Sequence, residues 1–259
     1  MQYGITNVQI MPLRATASDK SEMTSQLLFG ELFEIIDASK SWAYIRNLYD
    51  DYEGWADKKQ FIILPTNEAN RLINSEVNYT NEWISRAYSL TAKQEFAFVL
   101  GSHLNGLKNG KIRINENEFI VRESPLSFKI EKTQASILLN SKKFIGAPYL
   151  WGGKTPFGVD CSGFTQTVFK LCGIKLLRDA AQQSLQGVGV DFIDDAECGD
   201  LAFFDNDEDD IIHVGILLNN SKIIHSSGFV RIDSIDHNGI FNEDIGDYSH
   251  KLRIIKRFL

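Results

Sequence analysis

Three residues of this sequence could together perform nucleophilic catalysis: Cys161, His213 and His225. Cys161 follows a glycine-rich loop and begins a segment with helical periodicity. Unpaired backbone N–H groups and the helix dipole favour negative charge at a helix N-terminus, so this position predicts a lowered thiol pKa and a nucleophilic thiolate. The two histidines lie on apolar, strand-like segments, where one could act as a general base and the other could orient it.

The two histidines must lie on one face of a sheet for this chemistry. Residues 211–218 and 222–226 have the composition of paired strands in a hairpin. A three-residue loop between them places Gly215 opposite His225, so that His213 lies diagonally from His225 on the same face, about 7–8 Å away. A two-residue loop would place the histidines on opposite faces and exclude a triad.

Each catalytic candidate also has a purely structural interpretation. A free cysteine is usually a buried core residue, and a strand histidine can be satisfied within the core by a hydrogen-bonding partner. Two cysteines, Cys172 and Cys198, are predicted to be free, the former in the core. His103, His237 and His250 lie in polar or terminal stretches, which predicts surface positions.

Five short motifs surround the candidate residues. They are, in chain order, Pro148-Tyr-Leu-Trp-Gly-Gly, Asp160-Cys-Ser-Gly, Gly199-Asp-Leu-Ala-Phe-Phe, His213-Val-Gly and His225. Their order and spacing resemble the NlpC/P60 family of cell-wall peptidases over residues 135–259. The resemblance implies a papain-like cysteine peptidase with Cys161 as the nucleophile, His213 as the general base and His225 as the orienting group.

The same resemblance implies roles for residues around the nucleophile. Tyr149 is expected near the oxyanion, although a core aromatic is the alternative. The substrate peptide is expected to contact Asp160, Ser162, Trp151, Arg178 and Asp179. An arginine suits a carboxylate such as the α-carboxylate of D-glutamate, whereas the alternative for the Arg178–Asp179 pair is a solvated loop.

The sequence divides into three predicted domains with an α+β, papain-like region at the end. Residues 1–65 alternate short apolar runs with turns and resemble a bacterial SH3-like domain, and residues 66–130 are predicted to form a divergent second one. Residues 131–259 begin with predicted helices, at 133–144 and from Cys161 to Gly173, and continue with a run of strands.

Family members with such SH3-like modules resemble γ-D-glutamyl-L-diamino-acid endopeptidases, the dipeptidyl-peptidase VI type. These cleave murein peptides with a free N-terminal L-alanine, as in cell-wall peptide recycling, and the first SH3-like domain holds the free amine. The resemblance makes Glu22 and Tyr52 the candidate ligands of that amine, with Asp160 as a second carboxylate. A buried ammonium group needs such partners because it loses its hydration.

Composition excludes several other classes of protein. The 259 residues carry a formal net charge of −7, which argues against nucleic-acid binding and, more weakly, against docking on an anionic membrane. No apolar run is long enough for a membrane helix, and no signal peptide is visible at the N-terminus, so a cytoplasmic monomer is predicted unless a leader has been removed. The acidic run at 205–210 lacks the glycine and terminal glutamate of an EF-hand, so no metal or cofactor is expected.

Two other kinds of activity remain open at this point. The same thioester chemistry would serve a wall-lytic hydrolase, an amidase or an acyltransferase, because the sequence identifies the nucleophile and not the acceptor. A non-catalytic wall-binding protein is the other possibility, since SH3-like modules could hold wall material beside an inactive core.

Overall fold

The computed structural model describes residues 1–122 and 130–259, and the chain divides into two units, Met1–Lys129 and Ile130–Leu259. Strands predominate in both units, with four α-helices among the described residues, which agrees with the predicted α+β class. Within the described ranges, no helix has both the length and the apolar character needed to cross a membrane. The last residues of the predicted second SH3-like domain, 123–129, lie outside the described residues.

The first unit begins with a seven-stranded antiparallel sheet in the order β3-β2-β6-β5-β4-β1-β7. Buried side chains alternate along its strands, as expected when one face of each strand packs on a core. The strands are β1 (Gln2–Thr6), β2 (Ile10–Arg14), β3 (Met23–Leu28), β4 (Leu32–Ala38), β5 (Trp42–Asn47), β6 (Glu53–Asp57) and β7 (Phe61–Leu64).

A short helix and a four-stranded sheet complete the first unit. They are α1 (Thr66–Ile73), β8 (Ile84–Ser89), β9 (Gln94–Val99), β10 (Lys111–Ile114) and β11 (Asn117–Val121), and the sheet order is β10-β11-β8-β9. Asn109 and Gly110 both have positive φ and form the tight turn of the isolated bridge between Lys108 and Lys111. Phe29, which directly follows β3, packs on Phe98 and Phe119 of the four-stranded sheet. The two sheets of this unit therefore share a hydrophobic core. The division at residue 65 into two SH3-like domains stays a prediction.

The second unit has three helices and nine strands among its described residues. The helices are α2 (Gln134–Lys142), α3 (Cys161–Leu171) and α4 (Ala180–Ser184). The strands are β12 (Lys154–Thr155), β13 (Gly158–Val159), β14 (Val188–Val190), β15 (Leu201–Asp205), β16 (Ile211–Asn219), β17 (Lys222–Ser227), β18 (Phe229–Asp236), β19 (Gly239–Asn242) and β20 (Asp247–Arg257).

The strands of the second unit close into a ring. The sheet order is β14-β20-β15-β16-β17-β18-β19, and β19 also pairs with β20, so six strands form a closed barrel with β14 at its side. Its interior is filled by apolar side chains that alternate along the strands, including Phe204, Leu217, Ile223 and Ile240. Helix α3 packs against β16 and β17, the two strands that carry the candidate histidines.

Candidate active site

Cys161 is the first residue of α3, as the sequence predicts. Asp160 caps the helix, and its Oδ1 accepts a hydrogen bond from the backbone N–H of Gly163 at 2.6 Å. At the other end, Gly173 has a positive φ of 72° and follows the C-cap, which confirms the predicted helix end. The Cys161 side chain is buried and accepts hydrogen bonds from the backbone N–H groups of Val214 and Ser162.

The start of α3 lies directly against the glycine-rich loop. A Cβ atom added to Gly163 would lie 2.2 Å from the carbonyl oxygen of Gly153, and one added to Gly153 would lie 2.4 Å from the carbonyl oxygen of Gly158. Only glycine allows such close approach of two backbone segments. On the other side, Ser226 of β17 donates its hydroxyl to the carbonyl oxygen of Val159 at 2.9 Å. These contacts fix the nucleophile relative to the histidine strands.

The thiol environment differs from the sequence-based expectation. Burial, followed by the charge of Asp160, raises the pKa of Cys161 to about 12 and outweighs the hydrogen bonds from Val214 and Ser162 and the charge of Arg178. The predicted lowering of the thiol pKa is therefore wrong, because desolvation of the thiolate exceeds the stabilisation available at the helix N-terminus. Cys161 is consequently a neutral thiol that needs a base during attack.

The two histidines lie on one face of the barrel, in the predicted register. Gly215 pairs with His225, which makes His213 and His225 diagonal neighbours across β16 and β17. The loop itself differs from the prediction, because Asn219 pairs with Lys222 across a two-residue turn. A β-bulge between residues 217 and 219 adds one unpaired residue to β16. The side chains of His213 and His225 therefore still lie on one face of the sheet, which a two-residue turn alone would not allow.

His213 and His225 are joined by a short hydrogen bond between their side chains. His213 Nε2 lies 2.8 Å from His225 Nδ1, and both side chains are buried. Burial holds the pKa of His213 well below its usual value, and the neighbouring His250 and His225 lower it further. His213 is therefore a neutral imidazole, which can accept a proton. The backbone N–H of the next residue, Val214, donates to the Cys161 sulfur, so His213 and the thiol belong to one site.

The structure adds Asp233 to this pair of histidines. Asp233 Oδ2 lies 2.9 Å from His225 Nε2, and the same carboxylate forms an ion pair with Arg231, whose Nε lies 2.8 Å from Oδ2 and Nη2 2.9 Å from Oδ1. Burial alone would raise the pKa of Asp233, but the hydrogen bonds from His225 and Arg231 outweigh it and lower the pKa. A charged, buried carboxylate therefore stands behind His225.

A third histidine, His250 of β20, packs on the pair formed by His213 and His225. Its ring stacks on that of His213 with centroids 4.1 Å apart, so the predicted surface position is wrong. His103 is also buried, beside the rings of Tyr49 and Tyr79, whereas His237 is exposed as predicted.

The three histidines His213, His225 and His250 have the composition of a metal site. One ring nitrogen from each lies within 4.8 Å of the others. His213 and His225 each use one nitrogen in their mutual hydrogen bond, and the second nitrogen of His225 faces Asp233, so His225 could bind an ion only by giving up one of these hydrogen bonds. The absence of a metal stays a prediction.

Replacing His250 by phenylalanine tests its influence on the base. The phenyl ring should retain stacking and burial, but it removes the imidazole that helps to lower the pKa of His213. His213 would then bind a proton more easily, so we expect the acid limb of the kcat/KM profile to move to higher pH. The matched control is His237→Phe at an exposed position. An unchanged acid limb in His250→Phe, or an equal shift in the control, would contradict this role.

Asp160, Ser162 and Arg178 form a buried polar cluster beside the nucleophile. Arg178 Nη2 lies 2.6 Å from Asp160 Oδ2, Nη1 lies 3.1 Å from Oδ1, and Nη1 also donates to the Ser162 hydroxyl at 2.9 Å. The carboxylate accepts a further hydrogen bond from the backbone N–H of Gly152. This pairing compensates the charge of Asp160 next to the thiol. Recognition of a substrate carboxylate by Arg178 stays a prediction.

The remaining predicted site residues of the second unit, Tyr149, Trp151 and Asp179, differ in exposure. Burial, followed by the nearby Cys161 and Asp160, raises the pKa of Tyr149 to about 12, so its hydroxyl remains a hydrogen-bond donor. Trp151 is 60% exposed and follows Tyr149 in the glycine-rich loop. Asp179 is the N-cap residue of α4, and its backbone N–H donates to Gln182.

Comparison with known proteins identifies the group to which this chain belongs. The model of the NlpC/P60 family matches residues 146–247, and that of the bacterial dipeptidyl-peptidase SH3 domain matches residues 13–61. The chain is 31% identical to a γ-D-glutamyl-L-lysine dipeptidyl-peptidase of Bacillus subtilis over 222 residues, covering 78% of this chain and 71% of that protein. The chain belongs to the NlpC/P60 family. It is thus a cysteine peptidase related to peptidoglycan metabolism, with an SH3 domain ahead of the catalytic domain.

Two further matches agree with membership in the NlpC/P60 family. A γ-D-glutamyl-L-lysine dipeptidyl-peptidase of Bacillus cereus is 28% identical, covering 81% of this chain and 68% of that protein. A crystal structure of an NlpC/P60 family protein from Bacillus cereus superposes with a TM-score of 0.81 over 99% of both chains at 20% identity, which shows a shared fold.

The amine-binding residues expected for this NlpC/P60 peptidase lie in the SH3 region. Glu22 is exposed, in the segment that joins β2 to β3, and its backbone carbonyl accepts a hydrogen bond from Ala15. Tyr52 is half-buried and packs against the hydrophobic core of the first sheet. Their role toward a substrate amine stays a prediction.

Proposed function

We propose that this peptidase hydrolyses the bond between γ-D-glutamate and a diamino acid in murein peptides that carry a free N-terminal L-alanine. The observation that carries the proposal is the buried Cys161, whose sulfur accepts a hydrogen bond from the residue next to a neutral His213, itself bonded to His225. The substrate comes from the relatives, whose names specify γ-D-glutamyl-L-lysine. A requirement for a free amine suits the recycling of wall fragments.

The chemistry proceeds through a thioester. The Cys161 sulfur attacks the γ-carbonyl carbon while His213 takes the thiol proton, which avoids a free thiolate in a site that disfavours it. The oxyanion is held by the Tyr149 hydroxyl and by backbone N–H groups at the start of α3. The C–N bond then breaks as His213 returns the proton to the leaving amine. Water, deprotonated by His213, attacks the thioester and releases the acid and the thiol.

Binding of the substrate is assigned to polar residues of the SH3 region and of the catalytic domain. The N-terminal ammonium group would pair with Glu22 and Tyr52, with Asp160 contributing negative charge, because a desolvated ammonium needs such partners. Ser162, Trp151 and the Arg178–Asp179 pair would contact the peptide. The ion pair between Asp160 and Arg178 supports a shared role in which each orients the other toward the substrate.

The test is mass spectrometry of L-Ala-γ-D-Glu-L-Lys incubated with the protein, beside an N-acetylated copy and the meso-diaminopimelate analogue. We expect cleavage of the free peptides and at least about a 100-fold lower rate for the acetylated copy, because acetylation removes a charged hydrogen-bonding group. Equal cleavage of free and acetylated peptides would contradict the amine requirement and favour a wall-lytic enzyme. Cleavage of neither, or transfer of the acyl group to an added amine, would overturn the proposal.

A further inference from the structure

Three neighbouring strands of the barrel carry a diagonal line of polar side chains. His213 lies on β16, His225 on β17 and Asp233 on β18, and each contacts the next through a hydrogen bond of 2.8 or 2.9 Å. The registers explain this line. Gly215 faces His225, and His225 in turn faces Arg231, so His213 and Asp233 are each displaced by two residues on the same face.

The hydrogen-bonding capacities in this line determine where the protons lie. An ionised carboxylate only accepts, so His225 must carry its proton on Nε2, which faces Asp233 Oδ2. In the uncharged form of this ring, Nδ1 is then an acceptor. Burial keeps His213 neutral, and since its Nε2 lies 2.8 Å from His225 Nδ1, His213 then carries its proton on Nε2. This leaves His213 Nδ1 with a free lone pair, which is what a general base requires.

We propose that Asp233 is a positioning residue that sets the tautomers of both histidines and thereby gives His213 its basic Nδ1. The inference rests on the proposed function, because it concerns how His213 comes to act as the base. Asp233 acts through His225 and does not touch the substrate.

Arg231 holds the carboxylate in the orientation that this role needs. Its guanidinium group forms ion pairs with Asp233 and with Asp244, and it lies over the ring of Phe229 at 5.5 Å. A planar guanidinium that contacts both carboxylate oxygens fixes their direction. It also compensates the buried negative charge, which would otherwise be costly. The series of contacts therefore runs from the partly exposed Arg231 through Asp233 and His225 to His213.

Asp233→Asn removes the obligatory acceptor while preserving the shape of the side chain. The amide can present N–H to His225, which would reverse the tautomers of both rings. We expect kcat to fall about 10- to 100-fold with little change in KM, as when other residues that orient a functional imidazole by a hydrogen bond are replaced. The matched control is Asp236→Asn in the same strand, because Asp236 accepts a hydrogen bond from Tyr248 and not from a histidine.

Nitrogen-15 NMR of histidine-labelled protein reads the tautomers directly, without any substrate. We expect the wild type to carry its His213 and His225 protons on Nε2, Asp236→Asn to match it, and Asp233→Asn to lose this pattern. Wild-type protonation of His213 at Nδ1, or unchanged tautomers and kcat in folded Asp233→Asn, would overturn the proposal. Failure of the wild type to cleave any murein peptide, with the expected tautomers present, would instead refute the proposed function and leave this arrangement of protons intact.

Discussion

The Cys161→Ala variant is expected to lose at least about 10⁴-fold in turnover, because without the sulfur no thioester can form. Binding should survive, since the Cys161 side chain is small and the surrounding hydrogen bonds of Asp160, Arg178 and Ser162 do not depend on it. Calorimetric titration with the uncleaved peptide, together with single-turnover mass spectrometry, measures both quantities on one sample.

Cys198→Ala is the matched control for this experiment. Cys198 is a half-buried free thiol whose sulfur lies 4.0 Å from the carbonyl oxygen of Gln134, outside the site described above. Its replacement should leave kcat/KM within a factor of about two, since substitutions away from special features have small effects. Turnover retained in Cys161→Ala would rule out the thioester mechanism.

The Arg178→Ala variant is expected to lose a large part of its unfolding free energy. Arg178 is 1% exposed and forms two hydrogen bonds with Asp160, so Arg178→Ala leaves a buried carboxylate without its cation. Breaking a buried ion pair in this way costs about 3–5 kcal/mol of unfolding free energy. Urea denaturation followed by circular dichroism measures the change, and the catalytic unit should unfold at a lower urea concentration than in the wild type.

Two further variants separate loss of the ion pair from loss of the arginine. Removing both charges in Asp160→Asn/Arg178→Met should recover most of the lost stability, because no uncompensated charge remains. Arg122→Ala is the exposed control, since Arg122 and its partner Glu95 are 53% and 63% exposed and lie 2.8 Å apart, and it should cost less than about 1 kcal/mol. A double variant as unstable as Arg178→Ala would show that packing and not charge dominates.

Local signals in the sequence predict the parts of the site that depend on nearby residues. Asp160 and Gly173 mark the ends of α3 because a side-chain cap and a left-handed residue are chemically specific. The sequence predicts the pairing of Gly215 with His225 from a three-residue loop, and the structure reaches the same pairing through a two-residue turn. The bulge that achieves this pairing was missed, because its position depends on how the whole barrel twists.

Features that depend on distant segments could not be predicted in the same way. His250 reaches His213 because β20 closes the barrel against β15 and β19, a pairing that no local pattern specifies. The raised pKa of Cys161 reflects burial, which the sequence does not give. The position of Asp233 depends on both kinds of information. Once His225 is paired with Arg231 in the next hairpin, the alternation of side chains along a strand places Asp233 diagonally from His225 on the same face.

The bulge in the β16–β17 hairpin also limits how this segment can change in length during evolution. Deleting or inserting one residue between Gly215 and His225 would move His225 to the opposite face of the barrel, the face of the buried Ile224. A change of two residues leaves the side chains of both strands on their original faces. Viable length variants of this hairpin should therefore differ in steps of two, or gain or lose a compensating bulge with each single step.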